Sequence, residues 1–108
     1  MSHYSLGEFE ELVLLMVAGL QDDAYGVSIL SGLEKELGKS LNISAIHVVL
    51  KRLEEKDFVT SKFGGITGER GGRRKKYYTI TALGKQALDH QFTLRSTLYN
   101  RIPKISFG

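Results

Sequence analysis

Asn42-Ile-Ser-Ala-Ile-His-Val-Val-Leu-Lys-Arg-Leu-Glu-Glu-Lys-Asp-Phe-Val59 is a stretch that predicts one short helix with two different faces. One face carries an apolar stripe at i, i+3, i+4 and i+7, which is typical of a helix docked on a core. That stripe is Ile46, Val49, Leu50 and Leu53. The other face is small near its start and cationic later. It comprises Ser44, Ala45, His47, Val48, Lys51 and Arg52. Asn42 or Ser44 is suited to cap the helix.

This second face permits two interpretations. A surface that is first small and then cationic can approach another polymer closely and hold it by charge, as the recognition helix of a DNA-binding domain does. The same pattern fits a core helix with an ordinary solvated face, on which Lys51 and Glu55 would form an i,i+4 pair. The rest of the chain is needed to choose between them.

Length and composition predict one small soluble domain. The chain has 108 residues, of which 42% are hydrophobic and 25% charged, as in ordinary globular proteins. The absence of cysteine excludes disulfides, thiolate metal sites and a cysteine nucleophile. The N-terminus lacks signal-peptide features, and the longest apolar run, Leu12 to Ala18, is too short to cross a bilayer. We therefore expect a cytoplasmic protein without a membrane partner.

Positive charge is concentrated in one segment. The formal net charge of +3 and the pI near 9.2 decide little. However, five of the fifteen Lys and Arg residues crowd into positions 70–76, accompanied only by two glycines. They are Arg70, Arg73, Arg74, Lys75 and Lys76. Such local clustering is what a polyanionic partner requires.

Two helices are predicted before the opening stretch. Ser5 and Glu8 have capping-box spacing and open a first helix to about Leu20, which is apolar almost all round and hence buried on several sides, centrally or against a second subunit. A second helix starts near Ala24-Tyr25-Gly26, with Asp22 or Asp23 as its cap. Its inner stripe is Gly26, Leu30, Leu33 and Leu37, and Gly38 is placed to end it.

After the opening stretch the pattern changes from helix to strand. Residues 58–63 and 76–80 alternate and are rich in β-branched and aromatic residues, which predicts two strands of a hairpin. The glycine-rich basic segment between them forms the hairpin's tip. Thr81 then caps a fourth helix from Ala82 to about Tyr99. We predict a mainly α fold with a small β-hairpin, a winged helix-turn-helix of order α1-α2-α3-β-β-α4.

A winged helix contacts DNA in two places. Its third helix fits the major groove, where base edges are distinguishable, and its hairpin reaches the flanking backbone or minor groove. The wing cations Arg73, Arg74, Lys75 and Lys76 suit that second role. Because strand side chains alternate, about half of them would touch DNA at once. The alternative is a solvated charged tip without a partner.

Catalytic and cofactor functions find no support in the pattern. His3, His47 and His90 are far apart in sequence and lack metal-ligand spacing. Glu8, Glu10 and Glu11 occupy a first helical turn, where acids favour the helix dipole. We predict no enzyme activity, no metal and no cofactor.

A set of short motifs resembles the PadR family of bacterial winged-helix transcriptional regulators. These motifs are Leu6-Gly-Glu-Phe-Glu-Glu-Leu-Val-Leu-Leu15, Ala24-Tyr-Gly26, Leu50-Lys-Arg-Leu-Glu-Glu-Lys56, Arg70-Gly-Gly-Arg73 and Lys76-Tyr-Tyr-Thr-Ile-Thr81-Ala-Leu-Gly84. The resemblance covers roughly residues 6–88. It implies a homodimer joined by the fourth and first helices, repression from a palindromic operator and, as in some members, release by a small aromatic ligand.

This chain departs from the family pattern at two positions. It has His47 where the family usually has Tyr, which puts carried-over base preferences in doubt. It has Asp57 where the family usually has Gly, so we expect the turn into the wing to differ. Without tryptophan, the family's Trp-based ligand mode is absent, and an aromatic ligand would lie near Phe92 and Tyr99.

Dimerisation has an argument independent of the resemblance. The fourth helix has apolar residues on adjacent sides and, with the apolar first helix, exceeds what a small three-helix core covers. The predicted interface is Leu12, Met16, Leu88, Phe92, Leu94, Arg95, Leu98 and Tyr99. The alternative is that both helices pack within a complete monomer.

The sequence thus predicts a dimeric DNA-binding regulator, acting as a repressor. Residues 1–81 would form the winged-helix domain and residues 82–108 the dimerisation helix and tail of the same compact unit. The predicted DNA contacts are Tyr25, Ser44, Ala45, His47, Val48, Lys51, Arg52, Arg73, Arg74, Lys75 and Lys76. The alternative function is a winged-helix protein-interaction module without sequence-specific DNA binding.

Overall fold

Three helices, a hairpin and a fourth helix follow one another in the predicted order, which confirms the winged-helix fold class. A computed structural model describes residues 6–64 and 74–104. The elements are α1 (Glu8–Leu20), α2 (Gly26–Leu37), α3 (Ile43–Glu55), β1 (Val59–Phe63), β2 (Lys76–Ile80) and α4 (Ala82–Tyr99), with a 3-10 turn (Gln21–Asp23) between α1 and α2. In these described ranges, no helix combines the length and apolarity needed to cross a membrane.

The helix starts differ from prediction in α1 and α2. The cap of α1 is Gly7, whose N–H donates to the Glu10 carboxylate at 2.8 Å, and Ser5 lies outside the described residues. The cap of α2 is Tyr25, whose N–H donates to Ser28 Oγ at 2.9 Å. The prediction of Asp22 or Asp23 as this cap was wrong because both belong to the 3-10 turn before it.

The inner stripe of α2 is also shifted from the prediction. Ile29 and Leu33 are its buried residues, whereas Leu37 is 40% exposed. Leu30 of the predicted stripe packs against the core as a partly buried residue, and Ile29 takes the fully buried position beside it. Gly38 ends α2 in the left-handed region, with φ of 68°, as predicted.

The third helix is as predicted. The Asn42 side chain accepts a hydrogen bond from the Ser44 N–H at 2.7 Å, so Asn42 is the N-cap. The apolar stripe is wholly buried: Ile46, Val49, Leu50 and Leu53. It packs against α1 and α2, which surround it in the core.

The turn after α3 is closed by Asp57 in a left-handed conformation. Its φ is 63°, so this residue adopts the geometry that glycine would supply, contrary to our expectation. The Asp57 N–H donates to Glu54 O at 3.0 Å, and the Phe58 N–H donates to Leu53 O at 2.9 Å. These two bonds form a complete Schellman motif. Phe58, predicted to begin the strand, instead lies fully buried in this turn.

The hairpin is antiparallel and docked through the outer edge of β2. Its register pairs Val59 with Ile80 and Phe63 with Lys76. On the far side of β2, the Tyr78 N–H donates to Ala24 O at 2.8 Å, and Tyr25 forms a bridge with Tyr77. The segment before α2 therefore acts as a short third strand, which holds the base of the wing against α2.

The start of α4 is bonded directly to the turn after α3. Thr81 Oγ1 accepts from the Gly84 N–H at 3.0 Å and donates to Asp57 O at 2.7 Å, and the Thr81 N–H donates to Phe58 O at 3.0 Å. Gly84 lies so close that a Cβ added there would be 2.3 Å from Phe58 O. Since the obstacle is backbone, α4 can take this position only with glycine at residue 84.

We expect Gly84→Ala to lower the free energy of unfolding by about 2 kcal/mol, as overpacking of a filled site does. Urea titration followed by circular dichroism measures this loss. Gly19→Ala is the matched control, because a Cβ there meets nothing within 4 Å. Alanine at this helical site should leave stability unchanged or raise it. Equal midpoints for the two variants would contradict the proposed close approach.

Candidate nucleic-acid interface

The exposed face of α3 lies opposite its buried stripe. Its middle consists of Ser44, Val48 and Lys51, one turn apart and all exposed, with Val48 51% accessible. His47 flanks it on the side of α2, where its ring approaches the backbone of Gly26. Ala45 is exposed as well. The face therefore offers a hydroxyl, a short apolar side chain, an imidazole and an ammonium group.

Arg52 lies on the other flank, toward α1. Its charge acts on Glu10, which also accepts a hydrogen bond from Lys56 Nζ at 3.0 Å. Burial raises the pKa of Glu10, but the hydrogen bonds from Gly7 and Lys56 and the charges of Lys56 and Arg52 outweigh burial and lower this pKa from the usual value of a glutamate. The Glu10 carboxylate thus stays ionised near neutral pH and offsets part of the positive charge of Arg52.

The base of the wing places Lys75 beside the start of α2. Lys75 Nζ lies 4.3 Å from the centroid of the Tyr25 ring, and a hydrogen bond with Tyr25 raises the pKa of Lys75. The Tyr25 ring in turn meets Tyr77 edge-on, with centroids 5.5 Å apart. Tyr25 and Lys75, predicted separately as phosphate contacts, form one contiguous pair.

Lys76 points to the other face of the hairpin. Its Nζ lies 3.9 Å from Glu54 Oε1, and Glu54 also accepts a hydrogen bond from the Ser61 hydroxyl. Burial, followed by the charge of Glu54, raises the pKa of Tyr78 on that same face. The strand alternation expected from sequence therefore separates the two lysines. Lys76 has a carboxylate neighbour besides the rings of Phe63 and Tyr78, which lie 5.9 and 5.8 Å from its Nζ. Lys75 lies over the Tyr25 ring.

Of the two further wing cations, Arg74 is described by the structure. Arg74 Nε donates to Gly64 O at 3.2 Å, and its guanidinium lies 5.6 Å from the centroid of the exposed Phe63 ring. This places Arg74 where the hairpin leaves β1. Arg73 lies outside the described residues.

A second surface is formed by the later half of α4. The buried residues of α4 are Gly84, Ala87 and Leu88, all in its first half. Beyond them, large apolar side chains are 52–73% exposed: Phe92, Leu94, Leu98, Tyr99 and Ile102. An open groove of 670 Å³ runs among them, lined also by Arg95. Sequence reasoning missed Ile102, although its i+4 spacing from Leu98 was a readable signal.

The remaining predicted interface residues make contacts within the monomer. Leu88 is buried, and Leu12 and Met16 pack against the core. Arg95 forms an ion pair with Glu11 at 3.2 Å, next to a hydrogen bond from the Gln91 side-chain amide to the same carboxylate. These polar contacts hold the middle of α4 against the first turn of α1.

The fold and these two surfaces define a winged helix-turn-helix protein of the regulator class. Residues 14–90 match the model of the "Transcriptional regulator PadR-like family". The chain belongs to this family, whose members are transcription regulators and not enzymes. Within the described ranges, no group of three His, Asp or Glu side chains is arranged to hold a metal ion.

Individual relatives agree with the family assignment. An uncharacterized protein from Lysinibacillus sphaericus is 32% identical over 84 residues, which are 76% of this chain and 72% of that protein. A PadR family regulator from Clostridium difficile R20291 is 26% identical, with a TM-score of 0.70 over 87% of this chain and 93% of that one. Bacillus subtilis PadR, solved in complex with operator DNA, is 25% identical, with a TM-score of 0.64 over 88% of this chain and 60% of that one.

Proposed function

We propose that this protein is a sequence-specific DNA-binding repressor, which acts as a homodimer on a palindromic operator. One observation carries the proposal: the exposed face of α3 reaches, through His47, the half-buried Gly26, which directly follows Tyr25 of the Tyr25–Lys75 pair. The operator complex of Bacillus subtilis PadR supports DNA as the ligand of this surface.

The two parts of this surface suit the two tasks of DNA recognition. The middle of α3 would enter the major groove, where Ser44 and Lys51 reach base edges and Val48 can meet a thymine methyl group. Tyr25, Lys75 and the N-terminus of α2 would hold a flanking phosphate, because an ammonium, a phenol and free backbone N–H groups all favour an anion. Arg73 and Arg74 would extend this contact along the wing.

Homodimerisation follows from the later half of α4. Four large apolar side chains on the later half of α4, with Ile102 just beyond its end, form a patch of a kind that monomeric proteins rarely leave exposed. The Cα radius of gyration, 16.5 Å, also exceeds the value of about 13 Å expected for a compact chain of this length. A second copy packed on residues 92–102 would bury the patch and bring two α3 helices to one duplex.

A small aromatic effector would bind at the same place. The groove beside Phe92 and Tyr99 offers apolar walls and the Arg95 guanidinium, which suit a planar acid. Since residues of the proposed dimer contact line this groove, binding there would alter that contact, change the relative placement of the two α3 helices and release the operator.

The experiment that tests the proposal is selection of bound sequences from a random duplex pool at physiological salt. We expect an enriched palindrome with half-site centres about one helical turn apart. Salt-sensitive binding without enrichment would contradict sequence specificity. No duplex binding would favour the second function, a winged-helix protein-interaction module in which the basic wing docks a partner protein.

The two wing lysines provide a matched pair for the phosphate contact. We expect Lys75→Ala to weaken binding to all duplexes several-fold and to lower the salt slope by about one ion. Lys76→Ala should do less, because Glu54 already lies 3.9 Å from that ammonium. Fluorescence anisotropy titrations at several salt concentrations measure both. Equal losses would contradict the different roles proposed for Lys75 and Lys76.

The dimer surface can be tested by charge. Leu98→Asp should convert the dimer to a monomer in sedimentation equilibrium, because the interface would bury an unpaired carboxylate. Thr93→Asp, on the opposite exposed side of α4, should remain dimeric. A wild-type protein that stays monomeric at micromolar concentration would remove the dimer from the mechanism.

A further inference from the structure

Glycine at the first position of α2 is not required by the backbone. Among the described glycines, Gly38 is the one with positive φ, so Gly26 has a conformation open to any L-residue. Instead, there is too little space at position 26 for a side chain. A Cβ there would lie 2.9 Å from His47 Cε1 and 3.3 Å from His47 Nε2, closer than such atoms can pack.

The side chain that uses this space belongs to the proposed recognition surface. His47 is exposed on the flank of α3, next to Val48 and Lys51. Its ring lies against Gly26, the residue that follows Tyr25 and begins α2. This contact restricts the ring to one side of α3, and an imidazole can supply a donor or an acceptor to a base edge.

We propose that Gly26 is a positioning residue for base recognition: the missing side chain at the start of α2 lets the His47 imidazole lie against the α2 backbone and meet one base pair. This inference rests on the proposed function. Gly26 itself makes no base contact and acts through His47. A substitution at position 26 would therefore alter specificity without removing any group that touches DNA.

If Gly26 served only the stability of the fold, Gly26→Ala would be expected to lower the thermal midpoint. The atoms that a new Cβ would meet belong to an exposed side chain, which can rotate away, and alanine favours helix more than glycine does. Gly26→Ala should therefore not lower the thermal midpoint. It should only displace the imidazole from the position in which it meets the base.

The test measures Gly26→Ala on the selected operator and on operators with single base-pair changes. We expect discrimination at one position of each half-site to fall about fivefold or more, the scale of one base-edge contact. The thermal midpoint should match that of the wild type, and the loss at this position should exceed any change in affinity for random duplex. Gly19→Ala is the control, because a Cβ at that exposed helical site meets nothing within 4 Å.

A double-mutant cycle identifies His47 as the intermediary. His47→Ala alone should lose discrimination at the same base pair, and adding Gly26→Ala should cause no further loss. Unchanged discrimination in Gly26→Ala, an equal loss on all duplexes, a lowered thermal midpoint or an undiminished effect in the His47→Ala background would each overturn the inference. A wild-type protein that selects no sequence would instead overturn the proposed function, and this inference with it.

Discussion

The left-handed turn at Asp57 and Phe58 is the constraint on which the rest of the structure depends. It ends α3 through the hydrogen bonds to Glu54 O and Leu53 O, and it buries the Phe58 ring. The Asp57 and Phe58 carbonyls then receive the hydroxyl and the N–H of Thr81, which caps α4. A left-handed L-residue costs about 1–2 kcal/mol, less for Asp, and burial of Phe58 offsets it.

This turn relates the two surfaces to each other. The recognition helix ends in it, the wing begins from it, and α4 starts against it at Gly84, where only a glycine fits. Because these bonds are short and mostly between backbone atoms, the direction of α4 is coupled to that of α3. Through this turn, the exposed half of α4 is held in a fixed relation to the exposed face of α3.

Electrostatics divide the cations into two groups. Arg52 and Lys76 lie near the carboxylates of Glu10 and Glu54, whereas Lys51 is exposed on the middle of the recognition face and Lys75 stacks on Tyr25. The first group stabilises the packing of α1, α3 and the hairpin. Under the proposed function the second group would attract the anion, so the charge that serves this purpose is smaller and more localised than the basic cluster suggests.

Local patterns in the sequence determined the element order, the buried stripe of α3, the caps at Asn42 and Thr81 and the hairpin, because each depends on neighbours within a few residues. They also predicted that alternation would divide the wing cations. The cap of α2 at Tyr25 is local too, because Ser28 bonds it from three residues along the chain, but the nearby aspartates gave a competing signal. Only the tertiary structure decided that Lys75 meets Tyr25 while Lys76 meets Glu54, and that Gly26 makes room for His47. These pairs are 21 to 50 residues apart in the chain, and contacts at such separation leave no period or motif to be read.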